Sequence, residues 1–153
     1  KGYGYYYQVI DLVSSDEHFL GYVYENLGNA YLEDNQIDSS TLYLKKAYAI
    51  KKSYVGTRDI YPILHKLGKS ELAQKRFAAA EDYLLKAYDG VKQSKELPSQ
   101  KDIVADLSTL YEQKGNYPKA LEYSRIFTIT KDSLLNQSIA PLRCNPKLNC
   151  LFH

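Results

Sequence analysis

The chain has no Met and no Trp, and its two cysteines, Cys144 and Cys150, both lie among the last ten residues. A disulfide framework for the fold is thereby excluded, since nothing upstream could be crosslinked. A short bridge within the tail and two free thiols are both open readings. No uncharged run approaches the roughly 20 apolar residues that a membrane helix needs. The opening Lys1, Gly2, Tyr3, Gly4 lacks the apolar stretch of a signal peptide. The missing Met, initiator included, sets the expectation that the chain is a processed product or a piece of something longer. Charge of one sign is also scarce: the net charge is +2, with Lys and Asp/Glu interspersed along 153 residues. Without a clustered basic face, a dedicated nucleic-acid role for this segment is not expected.

What is present in excess is tyrosine, 16 residues against 4 Phe. Tyr carries a large apolar body with one polar edge, so many rings are expected to pack near water or a polar partner. The stronger signal is internal repetition at a period of 40 residues. Leu27 and Gly28 fall on Leu67 and Gly68, and these fall on Leu107 and Ser108. Tyr43, Tyr83 and Tyr123 align, as do Leu44, Leu84 and Ser124. Ser40, Ala80 and Ala120 make a small-residue column, and Ala47 and Ala87 a second, broken by Phe127. Tyr31 and Tyr111 share a column with Glu71, while Ile37, Phe77 and Tyr117 mark the start of each second helix.

Apolar residues at helical spacing give one stripe on each first helix. Small residues where two helices cross allow close approach, and larger ones fill the space between successive pairs. The run Tyr24-x2-Leu27-Gly28-x2-Tyr31, followed by Ser40, Leu44 and Ala47, resembles the tetratricopeptide repeat (TPR). The second repeat departs at Glu71, and the third at Ser108, Ser124 and Phe127. The terminal Pro of the family pattern is missing, and the period of 40 exceeds the usual 34 or so. The resemblance covers residues 18–135 and implies an all-α, right-handed superhelix of antiparallel helix pairs: about three repeats plus one preceding helix.

The pattern predicts helices over 2–14, 17–33, 36–54, 59–73, 76–93, 99–114 and 117–137. These group as the second helix of an incomplete repeat (1–16), repeats at 17–56, 57–96 and 97–137, and a non-repeat tail at 138–153. The first helix, with Tyr3 on the Tyr43 column, adds to the expectation of a longer natural chain. Asn35, Lys75 and Gly115 fall in the turns within repeats, where a left-handed backbone is expected. Gly56 is placed as a helix-ending glycine, and Ser99-x-x-Asp102 as a capping box. Pro62 and Pro118 fit in first turns if Asp59 and Asn116 are the N-caps.

No catalytic constellation emerges, so the chain is not expected to be an enzyme or to need a cofactor. His18, His65 and His153 share no helix face at ligand spacing, and Cys144, Cys150 and His153 have no recognised zinc spacing. The family resemblance implies instead a concave surface lined by non-core positions of the first helices. Projected onto this sequence, those are Tyr22, Glu25, Asn26, Asn29, Glu33, His65, Lys66, Lys69, Asp102, Thr109 and Gln113. In one family variant, Lys, Asn and Arg residues grip the terminal carboxylate of chaperones. Here Asn26 matches, but Lys66 stands for a second Asn, and Asp102 and Asp106 replace bases, so that ligand is not expected.

The expectation is therefore a protein- or peptide-binding scaffold. Residues 131–137 (KDSLLNQ) are similar to bacterial TPR regulators, which implies a sensory or interaction module on either side of the inner membrane, cytoplasmic or periplasmic. The alternative is a self-assembling or adaptor protein acting through end-to-end packing of repeats, with a homo-oligomer as its product.

Overall fold

The computed structural model describes residues 2–54, 56 and 60–143, the last four as backbone only. Among the described residues there are seven α-helices and no strand. They are α1 (Tyr3–Leu12), α2 (Glu17–Glu33), α3 (Ile37–Lys51), α4 (Tyr61–Ala73), α5 (Phe77–Ser94), α6 (Leu97–Gln113) and α7 (Tyr117–Arg143). The chain divides into two compact units, 1–94 with α1 to α5 and 95–153 with α6 and α7. In the first unit α2 packs along α3 and α4 along α5, α3 also packs on α4, and α1 lies against α2. In the second unit α6 packs along α7.

The turns that create the pairs are the same structure three times. Asn35, Lys75 and Gly115 have φ of 57°, 56° and 74°, each 40 residues from the last. At each turn two backbone bonds close the helix end. Gln36, Arg76 and Asn116 donate to the carbonyls of Tyr31, Glu71 and Tyr111, at 2.8, 2.9 and 2.8 Å. Asn35, Lys75 and Gly115 donate to those of Leu32, Leu72 and Glu112. This is the Schellman arrangement, which satisfies carbonyls a helix end would otherwise orphan. Lys75 adopts the left-handed conformation despite its Cβ, because the helices on both sides leave the chain no other reversal.

The crossings explain the Leu-Gly columns. A Cβ added at Gly28 would lie 2.8 Å from Leu44 Cγ, and one at Gly68 only 2.6 Å from Leu84 Cγ. Leu27, Leu44, Leu67 and Leu84 are fully buried, and Leu44, Ala47, Ile63 and Leu67 form one cluster joining α3 to α4. The third pair solves the crossing differently: Ser108 Oγ donates to the Ala120 carbonyl across the pair at 3.0 Å. In the second unit Ile103, Val104, Leu107, Leu110 and Tyr111 are buried.

Several boundaries differ from the sequence-based map. α3 ends at Lys51, capped by the Lys52 N–H on the Tyr48 carbonyl, well before Gly56. α6 begins at Leu97, two residues earlier than the expected capping box. Lys95 has φ 60°, and Pro98 occupies the first turn of α6, where its missing donor costs nothing. Ser99 Oγ donates to the Glu96 carboxylate at 3.3 Å instead of capping. α4 begins at Tyr61 with Pro62 in its first turn, while Asp59 lies outside the described residues. Asn116 does cap α7, accepting from the Lys119 N–H at 3.3 Å. α7 runs on to Arg143 rather than ending near 137, so Pro141 lies inside its last turns. One proline near a helix end removes one backbone donor, too little to stop a helix of 27 residues.

Leu84→Ala should cost about 2–5 kcal/mol in chemical denaturation, because the space cannot collapse across a glycine crossing. Gly68→Ala alone should cost about 1–3 kcal/mol by overpacking, and the double variant should cost clearly less than the sum. Simple additivity would show that the two residues do not form the contact described.

Candidate functional site

The cleft between α2 and α4 is built from residues one turn apart on two neighbouring first helices. Asn29, Leu32 and Glu33 come from α2, and His65, Lys66 and Lys69 from α4, enclosing about 380 Å³. Five of these six are positions projected from the sequence as partner-facing; Leu32 was not among them. The Asn29 Oδ1 atom is buried with no hydrogen-bond partner. Glu33 and Lys69 carry opposite charges on the same cleft, yet neither forms an ion pair among the described residues. A buried amide oxygen without a donor is costly to leave unmade.

Glu25, projected as a groove residue, occupies a different role. Its carboxylate lies 2.6 Å from Lys51 Nζ on α3 and 3.1 Å from Lys66 Nζ on α4. One anion on α2 therefore ties two other helices together. Burial pushes the Glu25 carboxyl up, but the two ammonium groups outweigh it and leave its pKa below the ordinary value. Lys51 is itself buried and sits 3.5 Å above the Tyr22 ring, so Tyr22 also serves this cluster. The signal was present in the repeat register: Lys51 falls on Val91, a buried position, and a cation facing inward requires an anion.

Glu71 is the second buried anion, 1% exposed. In the first and third repeats its column is Tyr, and those rings stack on the second-helix Tyr: Tyr31 on Tyr43 at 5.6 Å and Tyr111 on Tyr123 at 5.5 Å. Glu71 replaces that stack with ion pairs to Lys45, at 2.8 Å, and to Arg76. Burial raises its pKa, and Lys45 and Arg76 bring it below the ordinary carboxylate value. Tyr83, deprived of a ring to stack on, meets Tyr48 edge-on at 6.4 Å.

A second cleft, of about 390 Å³, lies between α1 and α2 and is lined by Tyr3, Tyr5, Tyr6, Glu33 and Asp34 among others. The Tyr3 ring stacks on Tyr31 at 4.3 Å, and its hydroxyl donates to Asp34, which pushes the Tyr3 pKa up to about 12. Beside it, the Tyr7 hydroxyl shares a bond of 2.7 Å with Tyr31 and accepts from Tyr43 at 3.2 Å. Those two donors lower the Tyr7 pKa and raise those of Tyr31 and Tyr43. The abundance of tyrosine in the sequence does not by itself place this cluster, because only Tyr3, on the Tyr43 column, ties α1 to the repeat pattern.

The remaining projected residues fall outside these two clefts. Asn26 is exposed on α2, and Asp102 and Gln113 are exposed on α6 in the second unit. Thr109 lines a small cleft of about 180 Å³ with Ala105, Ser108, Ser124 and Phe127. Three of those five are the residues at which the third repeat breaks its columns. Among the described residues no three His, Cys, Asp or Glu side chains gather as metal ligands. No described helix is long and apolar enough to cross a membrane. Cys144, Cys150 and His153 lie outside the described residues. No family model matches this chain, and no curated protein matches it either.

The buried Glu71 and the half-buried Glu25 both have folded pKa values below the ordinary carboxylate value. They therefore contribute stability that is complete above about pH 5 and declines as pH falls through the folded values. Glu71→Gln should lower stability at pH 7 by about 1–2 kcal/mol and flatten the acid limb of a denaturation series. Glu71→Tyr, which restores the stacking column and leaves two half-exposed cations solvated, should cost less than Glu71→Gln. Identical acid limbs for wild type and Glu71→Gln would refute the ion-pair account.

Proposed function

We propose that this chain is a helical-repeat binding module of the tetratricopeptide kind, and that it holds a protein or peptide segment in the cleft between α2 and α4. The observation that carries this reading is the buried, unpartnered Asn29 oxygen in a cleft flanked by the unpaired charges of Glu33 and Lys69. An extended peptide supplies a backbone N–H every residue and side chains of either charge, so it meets all three needs. The 40-residue columns, the three equivalent turns and the Leu-Gly crossings support the family reading. The similarity of residues 131–137 to bacterial regulators supports reading the module as part of a signalling protein.

The test is display of random decapeptides against the full chain, followed by titration of the enriched sequences. Enriched peptides should bind Asn29→Ala and Lys69→Glu at least about tenfold more weakly, with unchanged thermal midpoints. No enrichment, or equal binding by these variants, would remove the cleft from consideration.

A self-assembly role has its own observation: Leu12 on α1 is 81% exposed, and Leu121, Ile129 and Leu135 on α7 are 54%, 66% and 53% exposed. Sedimentation at rising concentration should then show reversible mass growth that Ile129→Lys abolishes. A strict monomer throughout would dispose of this role.

A further inference from the structure

The cleft between α1 and α2 is walled by tyrosine rings and carboxylates. Tyr5 and Tyr6 meet edge to face, with centroids 6.2 Å apart and planes at 72°, which makes a corner of two ring faces at right angles. Tyr3 closes a third side. Gly2 stands at the rim, where an added Cβ would touch nothing within 4 Å, so the mouth is open. Two adjacent carboxylates, Glu33 and Asp34, complete the lining. Asp34 already accepts from Tyr3, while Glu33 is exposed and in no ion pair among the described residues. Tyr5 is 70% exposed, so its ring does little for packing where it stands.

Aromatic faces carry negative potential, and carboxylates carry charge of the same sign. A cleft combining them attracts a cation and repels an anion. An organic cation is preferred over a hydrated metal ion, because its alkyl stem can lie along the rings while its head meets Glu33. Glu33 also lines the α2–α4 cleft, so the two clefts adjoin. In that second cleft Lys69 repels cations, which sorts charge along the groove: bases toward the tyrosines and acids toward Lys69.

We propose that the cleft formed by Tyr3, Tyr5, Tyr6 and Glu33 is a subsite for a basic side chain, Lys or Arg. The proposal rests on the reading of the adjoining cleft as a peptide site for the source of that side chain, though not for the chemistry of the subsite. Both Tyr5 and Glu33 are exposed, so replacing either should leave the fold intact.

The chain labelled with 13C at tyrosine rings would be titrated with N-acetyl-arginine amide, N-acetyl-lysine amide and, as the neutral control, N-acetyl-norleucine amide. Ring signals of Tyr3, Tyr5 and Tyr6, assigned by single Tyr→Phe changes, should shift saturably with the two cations and not with norleucine. Tyr5→Ser and Glu33→Gln should each weaken this binding by about threefold or more. Absence of saturable shifts, an equal response to norleucine, or unaltered binding by both variants would overturn the subsite. Cation binding with no peptide enriched in display would support the subsite and remove the peptide reading. Enriched peptides that lack Lys and Arg, and that bind Glu33→Gln unchanged, would overturn the subsite and keep the peptide reading.

Discussion

The close passage of Gly28 against Leu44, and of Gly68 against Leu84, is the constraint on which the first unit depends. With Cβ-to-Leu distances of 2.8 and 2.6 Å, an added methyl would force the facing leucine side chain or one helix of the pair to give way. That close approach buries the leucines completely and fixes the rotation of α2 and α4 about their axes. The rotation in turn decides which positions face outward. Residues 29, 33, 65 and 69 line a common cleft because residues 28 and 68 are committed to the crossing on the other side. The third pair reaches a crossing by another route. A hydroxyl-to-carbonyl bond from Ser108 replaces shape complementarity, and with Ser124 in the place of a leucine a small cleft is left open.

Electrostatics ties the pairs of the first unit to one another in a repeated way. Each of α2 and α4 carries one buried or half-buried glutamate, and α3 supplies a lysine to both: Lys51 to Glu25 and Lys45 to Glu71. Burying a carboxylate costs several kcal/mol unless cations compensate, and in each case two cations do. Such clusters add less net stability than the same volume of hydrocarbon, yet they punish misregister severely, because a slipped helix leaves a buried charge alone. In a repeat array, where neighbouring helices are similar enough to be confused, that penalty selects one register. The glycine crossings, being near-identical in the two pairs, cannot make this distinction themselves.

Most of the fold was legible in the sequence, and the reasons are specific. Helix starts at Ile37, Phe77 and Tyr117, and left-handed turns at 35, 75 and 115, follow from columns in which local preference and packing demand the same residue types. The ends of α3, α6 and α7 were read less well. There Gly56 and Ser99 gave local signals that the helix ends do not follow, and α7 runs six residues past its expected end. Of the projected partner-facing residues, Asn29, Glu33, His65, Lys66 and Lys69 share one cleft because a helix face is periodic and countable. The engagement of Glu25 with Lys51 lay beyond that reasoning, since it joins two elements 26 residues apart in sequence. Only comparison of Lys51 with the buried Val91 pointed to it.

The surplus of tyrosine over phenylalanine finds its cause at α1. That helix has no fully buried residue, so apolar burial alone does not hold it. Its attachment includes a Tyr3–Tyr31 stack, a hydroxyl bond donated by Tyr3 to Asp34, one shared by Tyr7 and Tyr31, and one that Tyr7 accepts from Tyr43. Bonds of this kind compete with water, so α1 is less firmly held than the helices of the first unit that bury apolar side chains. The aromatic cleft has one wall on this helix and its carboxylates at the end of α2, on Glu33 and the capping Asp34. Any ligand that touches both walls must therefore fasten α1 as it binds. A second ligand group on α4 would then meet a cleft whose other end is already fixed.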